Sequence, residues 1–502
     1  MILAATDLAD VVYRLGVVAA ALLVGVALLA PSVRGRAIAA LLALALTPIL
    51  LVADIWDSPQ IASLRDRPAI AAGAALGALA AVAVLALLMR RWPALLPLLA
   101  VAALPFRIPI SAGGDTSNLL VPLYLVIAAG VLAHAVPRAR GADDDAPFRP
   151  RALEWLLVGS VVLYALQAAY SDDFAKALQN VVFFYVPFAL LLGLLREIRW
   201  TRRLALQCLG VLLALAAVFV CVGFVEYWRK ELLLNPDLVA ASQYQSYFRV
   251  NSLFFDPNVY GRFLATVMLG VATVVLWARS SRDVLLGALA LALLWAGLVL
   301  TFSQSSFAAL LAGLAVLAAL RWSVRWTAAA VAVAAAIGLA LVLLAPDAVR
   351  LDISSQRAAD KATSGRADLV VGGVDLFRDR PVLGYGSGSF ATVFREEEGV
   401  SSERAATASH TIPVTVAAEQ GVVGLAVYLA LLVAALVRLL RGARSSPLRA
   451  YVAAAFVALI VHTMLYAAFL EDPLSWALLG VGMALAAPRP TPATDEPAPA
   501  SA

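Results

Sequence analysis

One unit recurs along the chain: an apolar stretch close to the length of a lipid bilayer, followed by a short polar connection. Fifteen such stretches can be read, at about 11–30, 37–53, 69–89, 92–105, 118–136, 152–170, 181–195, 204–226, 258–278, 284–301, 304–320, 326–345, 411–437, 450–468 and 474–487. About 20 apolar residues in a helix cross the hydrocarbon core. Backbone polar groups find no partner in lipid, so a span must be a helix or a strand of a closed barrel. The alternation of apolar and polar residues that a barrel requires is absent. The expected fold class is therefore all-α: a polytopic transmembrane helix bundle of about 12–15 helices, with two long external loops forming a lid. Composition agrees, at 63% hydrophobic and 14% charged residues, where soluble domains run near 45–50% and 25%. A soluble globular enzyme is excluded. The basic pI of 9.3 does not point to nucleic acid, because lysines and arginines in such chains mark cytoplasmic connections. The partner that composition does imply is the bilayer.

The connections test the count of helices. Arg34, Arg36, Arg90, Arg91, the runs 138–151 and 196–203, Arg279, Arg282, Arg321, Arg325, the run 438–449 and Arg489 hold 21 of the 38 basic residues. They fall in every second connection and the tail. The short connections between them hold Arg65, Arg67, Arg107 and Lys176. This bias places the N-terminus outside and the C-terminus in the cytoplasm of a cytoplasmic (inner) membrane. The first stretch lacks a basic n-region and an A-x-A site, so a retained helix is expected there instead of a signal peptide. Residues 1–200 read as N-terminal helices, 201–440 as a core and 441–487 as C-terminal helices. The Pro- and Ala-rich 488–502 reads as a disordered cytoplasmic tail. Two connections, 227–257 and 346–410, are too long for turns, and both fall on the external side. Long connections of this kind are usually functional. They are expected to pack over a shared cavity. The spacing of Leu369, Val370, Val371 and Val374 predicts a short amphipathic helix in the second.

Several features have plain readings. Cys208 and Cys221 share one apolar run and read as packing residues. His134 and His462 lie in or near helices and read as packing or interfacial. "GYGSGS" at 384–389 follows no strand, so its glycines read as a tight turn after Pro381 and not as a nucleotide loop. "DDD" at 143–145 lies among arginines and reads as a solvated run, not a metal site. The external segments are richer. "SYFRVNSLFFDPNVYGRF" places Arg249, Asp256, Asn258 and Arg262 around the start of a helix, and "SHTIPVTVAAEQGVVG" places His410 at a helix mouth with Glu419 nine residues on.

The order "RVNSLFFDPNVYGRFL", "LTFSQSSFAALLAGL", "GRADLVVGGVDLFRDRPVLGYGSGSF", "HTIPVTVAAEQGVVGL" resembles the O-antigen ligase and O-antigen polymerase family of bacterial envelopes, over roughly residues 240–440. In that family an external Arg precedes an N-P-N-like helix start. A second Arg opens a long loop with a P-x-x-G-x-G motif, and a His precedes a helix with E-x-G-x-x-G. This chain departs at Ser303-Gln304, where the family often has Ser-Arg, and at His410-Thr411, where it has His-Asn. The first 200 residues match only as hydrophobic helices. The resemblance implies glycan transfer from a polyprenyl-diphosphate-linked donor to a glycan or glycolipid acceptor at the external face, by a ligase or a polymerase that differ only in acceptor.

The residue types suit that chemistry. Charge builds on the diphosphate as the anomeric bond breaks, and arginine binds phosphate bidentately while staying charged. Arg249 and Arg366 are the candidate clamps, with Arg262 a third. An acceptor hydroxyl needs a base titrating near neutrality, and His410 is the candidate. Asn258 and Glu419 are candidate supporting residues. On an ideal helix Glu419 lies half a turn around from His410, so packing or an interhelical role competes. Arg249 could equally snorkel among Tyr244, Tyr247 and Phe248, and Arg366 could be a loop surface residue. No cofactor and no metal are expected. Two alternatives remain: a glycosyltransferase of lipid-phosphate sugars using Asp54 and Asp57 of the first external connection with a metal, and a lipid or polysaccharide transporter.

Overall fold

The computed structural model describes residues 2–54, 56, 65–112, 115–141, 149–234, 248–344, 366–398, 411–466 and 468–486. The chain runs α1 (Ile2–Leu29), α2 (Val33–Asp54), α3 (Pro68–Arg91), α4 (Leu95–Ala103), β1 (Ile108–Ala112), β2 (Asp115–Leu119), α5 (Val121–Ala139), α6 (Ala152–Ala168) and α7 (Phe174–Asn180). A π-helical turn at Val181–Tyr185 joins α7 to α8 (Val186–Arg196). Then come α9 (Arg202–Arg229), α10 (Pro257–Leu276), α11 (Ser281–Thr301), α12 (Gln304–Arg321) and α13 (Val324–Leu344). The chain closes with α14 (Arg366–Asp379), α15 (Phe390–Glu398), α16 (Ile412–Leu440), α17 (Pro447–Thr463) and α18 (Pro473–Ala486).

Among the described residues, 10 helical segments are long and apolar enough to cross a membrane and four shorter ones are apolar. Together they account for every expected stretch except 92–105. There the helix covers only Leu95–Ala103, about 14 Å at 1.5 Å per residue, and it stops at a turn before Pro105. The chain continues as the antiparallel hairpin β1–β2, with Ile108 opposite Leu119. The all-α expectation holds with that one hairpin added. Large side chains such as Leu76, Trp228, Leu311 and Val433 stand exposed along the helices. Such a surface suits lipid and not water. The protein is a multi-pass membrane protein.

Two apolar cores hold the bundle. The larger joins α1, α2, α5, α6, α8, α16 and α18 through residues such as Val24, Leu123, Leu157, Phe188, Leu431 and Trp476. The second joins α9 to α12 around Phe219, Tyr260, Leu264, Leu298 and Leu310. Helix α17 serves both. It turns Phe456 and Leu459 to the first core and Ala450, Ala454 and Ala458, four residues apart, to the second. Small side chains on one stripe let helices approach closely in lipid.

The two ends of the bundle differ. At the end rich in arginine, guanidinium groups cap the last carbonyls of helices: Arg196 donates to Leu28 O (2.9 Å), Arg321 to Leu276 O (3.1 Å) and Arg444 to Ala319 O (3.0 Å). The arginine-poor end gathers the segments 104–107, 169–173, 248–256, 302–303, 366–398, 464–466 and 468–472. The described parts of both long connections therefore share one end. The second contains the expected amphipathic helix, α14: Leu369 and Leu376 are buried with Tyr385, Phe390, Val393 and Phe394 against Ala418 of α16, while Val371 is exposed.

Candidate active site

The start of α10 is built by its sequence. Asp256 caps it, its carboxylate accepting from Asn258 N (2.6 Å) and Val259 N (3.3 Å), and Pro257 occupies the first turn. That geometry turns Asn258 into the bundle. Asn258 Oδ1 accepts from Arg249 Nη2 (3.0 Å) and from Ser303 Oγ (2.9 Å). Arg249 Nε also donates to Thr301 O (2.9 Å). The guanidinium is thus fixed from two sides, by a side chain of α10 and by the end of α11. Snorkelling alone does not describe it. The network continues from Ser303 Oγ to Ser305 Oγ (3.2 Å) and Ser306 Oγ (2.8 Å), and from Ser305 Oγ to His462 Nε2 (3.3 Å). His462 is fully buried on α17. It packs in the interior, as one of its two readings expected, and it is also a member of this network.

The connection between α17 and α18, residues 464–472, ties the rest together. Its Asp472 forms a buried ion pair with Arg262, one turn after Asn258 on α10. Its Tyr466 faces Asp256; burial, and then the Asp256 carboxylate, push that phenol well above its usual range, against the pull of Arg262 and Arg107. Burial lowers the Arg107 guanidinium below its ordinary value; Asp472 opposes this and Arg262 adds to it. Met464 O accepts from Thr411 Oγ1 (3.2 Å), at the mouth of α16. Arg107, His462, Tyr466 and Asp472 were not among the sequence candidates. Two signals were available: an ionisable residue inside an apolar helix, and an acidic pair, Glu471-Asp472, directly before Pro473 in a short connection.

The loop after α14 is held by backbone. Gly388 N and Phe390 N donate to the two carboxylate oxygens of Glu419 (2.9 and 3.2 Å). Tyr385 N donates to Ala418 O (3.1 Å), Gly386 N to Glu419 O (2.8 Å) and Val422 N to Pro381 O (2.8 Å). From α6, Gln167 Nε2 reaches Leu383 O (3.3 Å) and Gln420 O (3.2 Å), and from the segment after α6 Ser171 Oγ reaches Ser387 O (2.8 Å). Glu419 therefore joins the glycine-rich loop to α16, which is the interhelical role weighed for it. The close approach requires glycine at two points. A Cβ on Gly384 (φ +70°) would lie 2.3 Å from Glu419 O, and one on Gly421 (φ +64°) 2.2 Å from Val382 O. Gly421 also breaks α16, with ψ −165°.

Beside this loop a cavity opens between α6, the π-helical turn, α16 and the 469–471 segment, lined by Tyr164, Tyr185, Thr415, Glu419, Tyr428 and Glu471 among others. Tyr185 OH donates to Glu471 Oε1 (3.0 Å). Burial raises the Glu471 carboxyl above its usual range, against that hydrogen bond.

The structure thus brings Arg249, Asn258 and Arg262 to one end of α10 and Glu419 to the adjoining loop. Arg366 is the first residue of α14, with its side chain outside the described residues, and His410 lies outside them altogether. Its neighbour Thr411 is the nearest described point. Of the alternative's carboxylates, Asp54 ends α2 with its side chain not described, and Asp57 also lies outside.

No curated protein matches the chain. A family model does: residues 288–429 match the family described as O-antigen ligase. The match takes in most of α11, the serine network on α12, the glycine-rich loop, position 410 and Glu419. Over residues 288–429, then, the chain is similar to the O-antigen ligase family.

Proposed function

We propose that the protein transfers a glycan from a polyprenyl-diphosphate carrier to a hydroxyl of a glycan or glycolipid acceptor, at the arginine-poor end of the bundle on the external face of the inner membrane. The family match supports a membrane glycan-transferring enzyme in the broad sense. The finer reading rests on residues. Arg249, held by Asn258 and Thr301 O, and Arg366, at the start of α14, bind the diphosphate as charge builds on the leaving oxygen. A guanidinium already oriented loses little freedom on binding, which favours stabilisation of that charge. His410 takes the proton of the acceptor hydroxyl. Arg262, paired with Asp472, positions the start of α10, and Glu419 holds the loop that covers the site.

The observation that carries this reading is the Thr411–Met464 hydrogen bond. It brings the residue next to His410 onto the same connection that holds Asp472 against Arg262.

The test is transfer by purified full-length protein in proteoliposomes, from a polyprenyl-diphosphate glycan with and without acceptor. General-base catalysis is worth about 10²–10⁴ in rate. His410→Ala is expected to lose at least that much turnover with insertion and donor binding intact. Near-normal turnover in that variant would refute the base assignment. Activity abolished by EDTA and restored by magnesium or manganese would favour the metal-using alternative at Asp54 and Asp57.

A further inference from the structure

Arg107 lies in the turn between α4 and β1, in a part of the chain that the match over residues 288–429 does not reach. Its neighbour Phe106 sets its ring edge-on to Phe219 of α9, with centroids 6.0 Å apart, and Phe219 packs on Phe263 of α10 at 5.7 Å. That stack brings the turn against the start of α10, beside Arg262. Burial weakens the Arg107 charge, Asp472 supports it, Arg262 opposes it, and Tyr466 and Tyr124 add smaller support. None of these groups bonds to it. Among the described residues Arg107 makes no hydrogen bond and no ion pair. The Asp472 carboxylate is already engaged, by Arg262 through Oδ2 and by Leu474 N (2.8 Å) through Oδ1. Arg262 Nη1 is also buried without a partner. Guanidinium N–H groups from two arginines thus stand unmet at one place. Arg107 keeps part of its surface open, so a ligand can reach it.

An enclosed cation without a hydrogen-bonded partner weakens folding, and groups perturbed in this way gather at binding sites. We propose that Arg107 is a further ligand of the donor's diphosphate, presenting its fork to phosphate oxygens beside Arg262. Arginine suits phosphate because its planar fork donates two parallel hydrogen bonds. Two phosphoryl groups offer more oxygens than one guanidinium can meet, so forks from separate elements fit a diphosphate better than a single phosphate. The inference rests on the glycan-transfer reading and extends its site to the N-terminal helices.

Full-length protein in neutral detergent is titrated with farnesyl diphosphate, farnesyl monophosphate or phosphatidylglycerol while thermal unfolding is followed by tryptophan fluorescence. Farnesyl diphosphate is expected to raise the midpoint saturably, with the other two ineffective at the same concentration. Arg107→Gln should raise the half-saturating concentration by at least about tenfold, as a charge-assisted contact to the ligand is lost. It removes an enclosed cation and leaves the Arg262–Asp472 pair in place, so its midpoint without ligand should be no lower than that of wild type. These opposite effects separate a ligand-binding residue from a structural one. Arg107→Lys should recover only part of the affinity, because lysine lacks the fork. The control Arg67→Gln, at an exposed position on the same end, should behave as wild type. Wild type that does not respond to farnesyl diphosphate would refute the diphosphate reading itself, and this proposal with it. A wild-type response that Arg107→Gln leaves unchanged would refute this proposal alone. A lower unliganded midpoint in Arg107→Gln, an equal loss in Arg67→Gln, or an equal shift with the monophosphate or phosphatidylglycerol would each overturn it as well.

Discussion

Arginine serves two purposes at the two ends of this bundle. At one end Arg196, Arg321 and Arg444 donate to carbonyls that the last turns of helices leave open. Their charge complements the negative end of each helix, an effect worth about 0.3–1 kcal/mol per contact. At the other end Arg249 and Arg262 are gripped by side chains, Asn258 in one case and Asp472 in the other. Those partners sit on a helix start and on a distant connection, and they fix each guanidinium in space. The first arrangement tolerates variation because many geometries satisfy a carbonyl. The second does not, because its partners are buried and have nowhere else to turn.

Substitutions at the two ends sharpen or break that contrast. Asp472→Ala strands the Arg262 charge in a buried site, and breaking a buried pair from one side costs about 3–5 kcal/mol. A correspondingly large drop in unfolding temperature is expected. Arg262→Met combined with Asp472→Leu should recover much of it; a double variant as unstable as the single would show that the charge is not the cause. Arg249→Ala should lower turnover roughly a hundredfold, equivalent to ~2.7 kcal/mol of transition-state stabilisation, and weaken donor binding. Arg249→Lys should recover only part, because lysine lacks the fork. Full recovery by lysine would mean that charge alone suffices and that the grip of Asn258 is incidental.

Gly421→Ala places a methyl group against Val382 O in a backbone region open only to glycine. A cost of about 1–3 kcal/mol is expected, with transfer activity lost before helical content as the glycine-rich loop detaches. Circular dichroism beside the transfer assay separates the two. Arg444→Ala, at the opposite end, should change stability by less than about 1 kcal/mol. A loss as large as that of Asp472→Ala would erase the distinction between the ends.

The helices were legible in the sequence because the bilayer sets their length and the alternation of arginine-rich connections checks their number. The stretch 92–105 misled because it is apolar throughout, yet Pro105 and the hairpin after it end the helix at Ala103. Arg249, Asn258 and Arg262 were legible because they crowd one connection beside a capped helix start. His462 and Asp472 were not, since each carries meaning only through a partner remote in the chain. Ser305 and His462 are 157 residues apart, and no local pattern joins a lone histidine in an apolar helix to a serine on another. The role of Glu419 was half legible. Its position on a helix excluded direct contact with the ring of an ideal-helix His410, but its grip on Gly388 and Phe390 N depends on how the loop folds back.

The weld between the glycine-rich loop and α16 has a consequence for engineering. Five of its hydrogen bonds use main-chain atoms of loop residues 381–390, from Pro381 O through Tyr385 N, Gly386 N and Gly388 N to Phe390 N. The exposed side chains there, Val382 and Leu383, can be exchanged while the spacing of those atoms stands, whereas adding or deleting one residue shifts every later contact out of register. The loop behaves as a part cut to length, and a library that varies its exposed residues will retain more activity than one that varies its size.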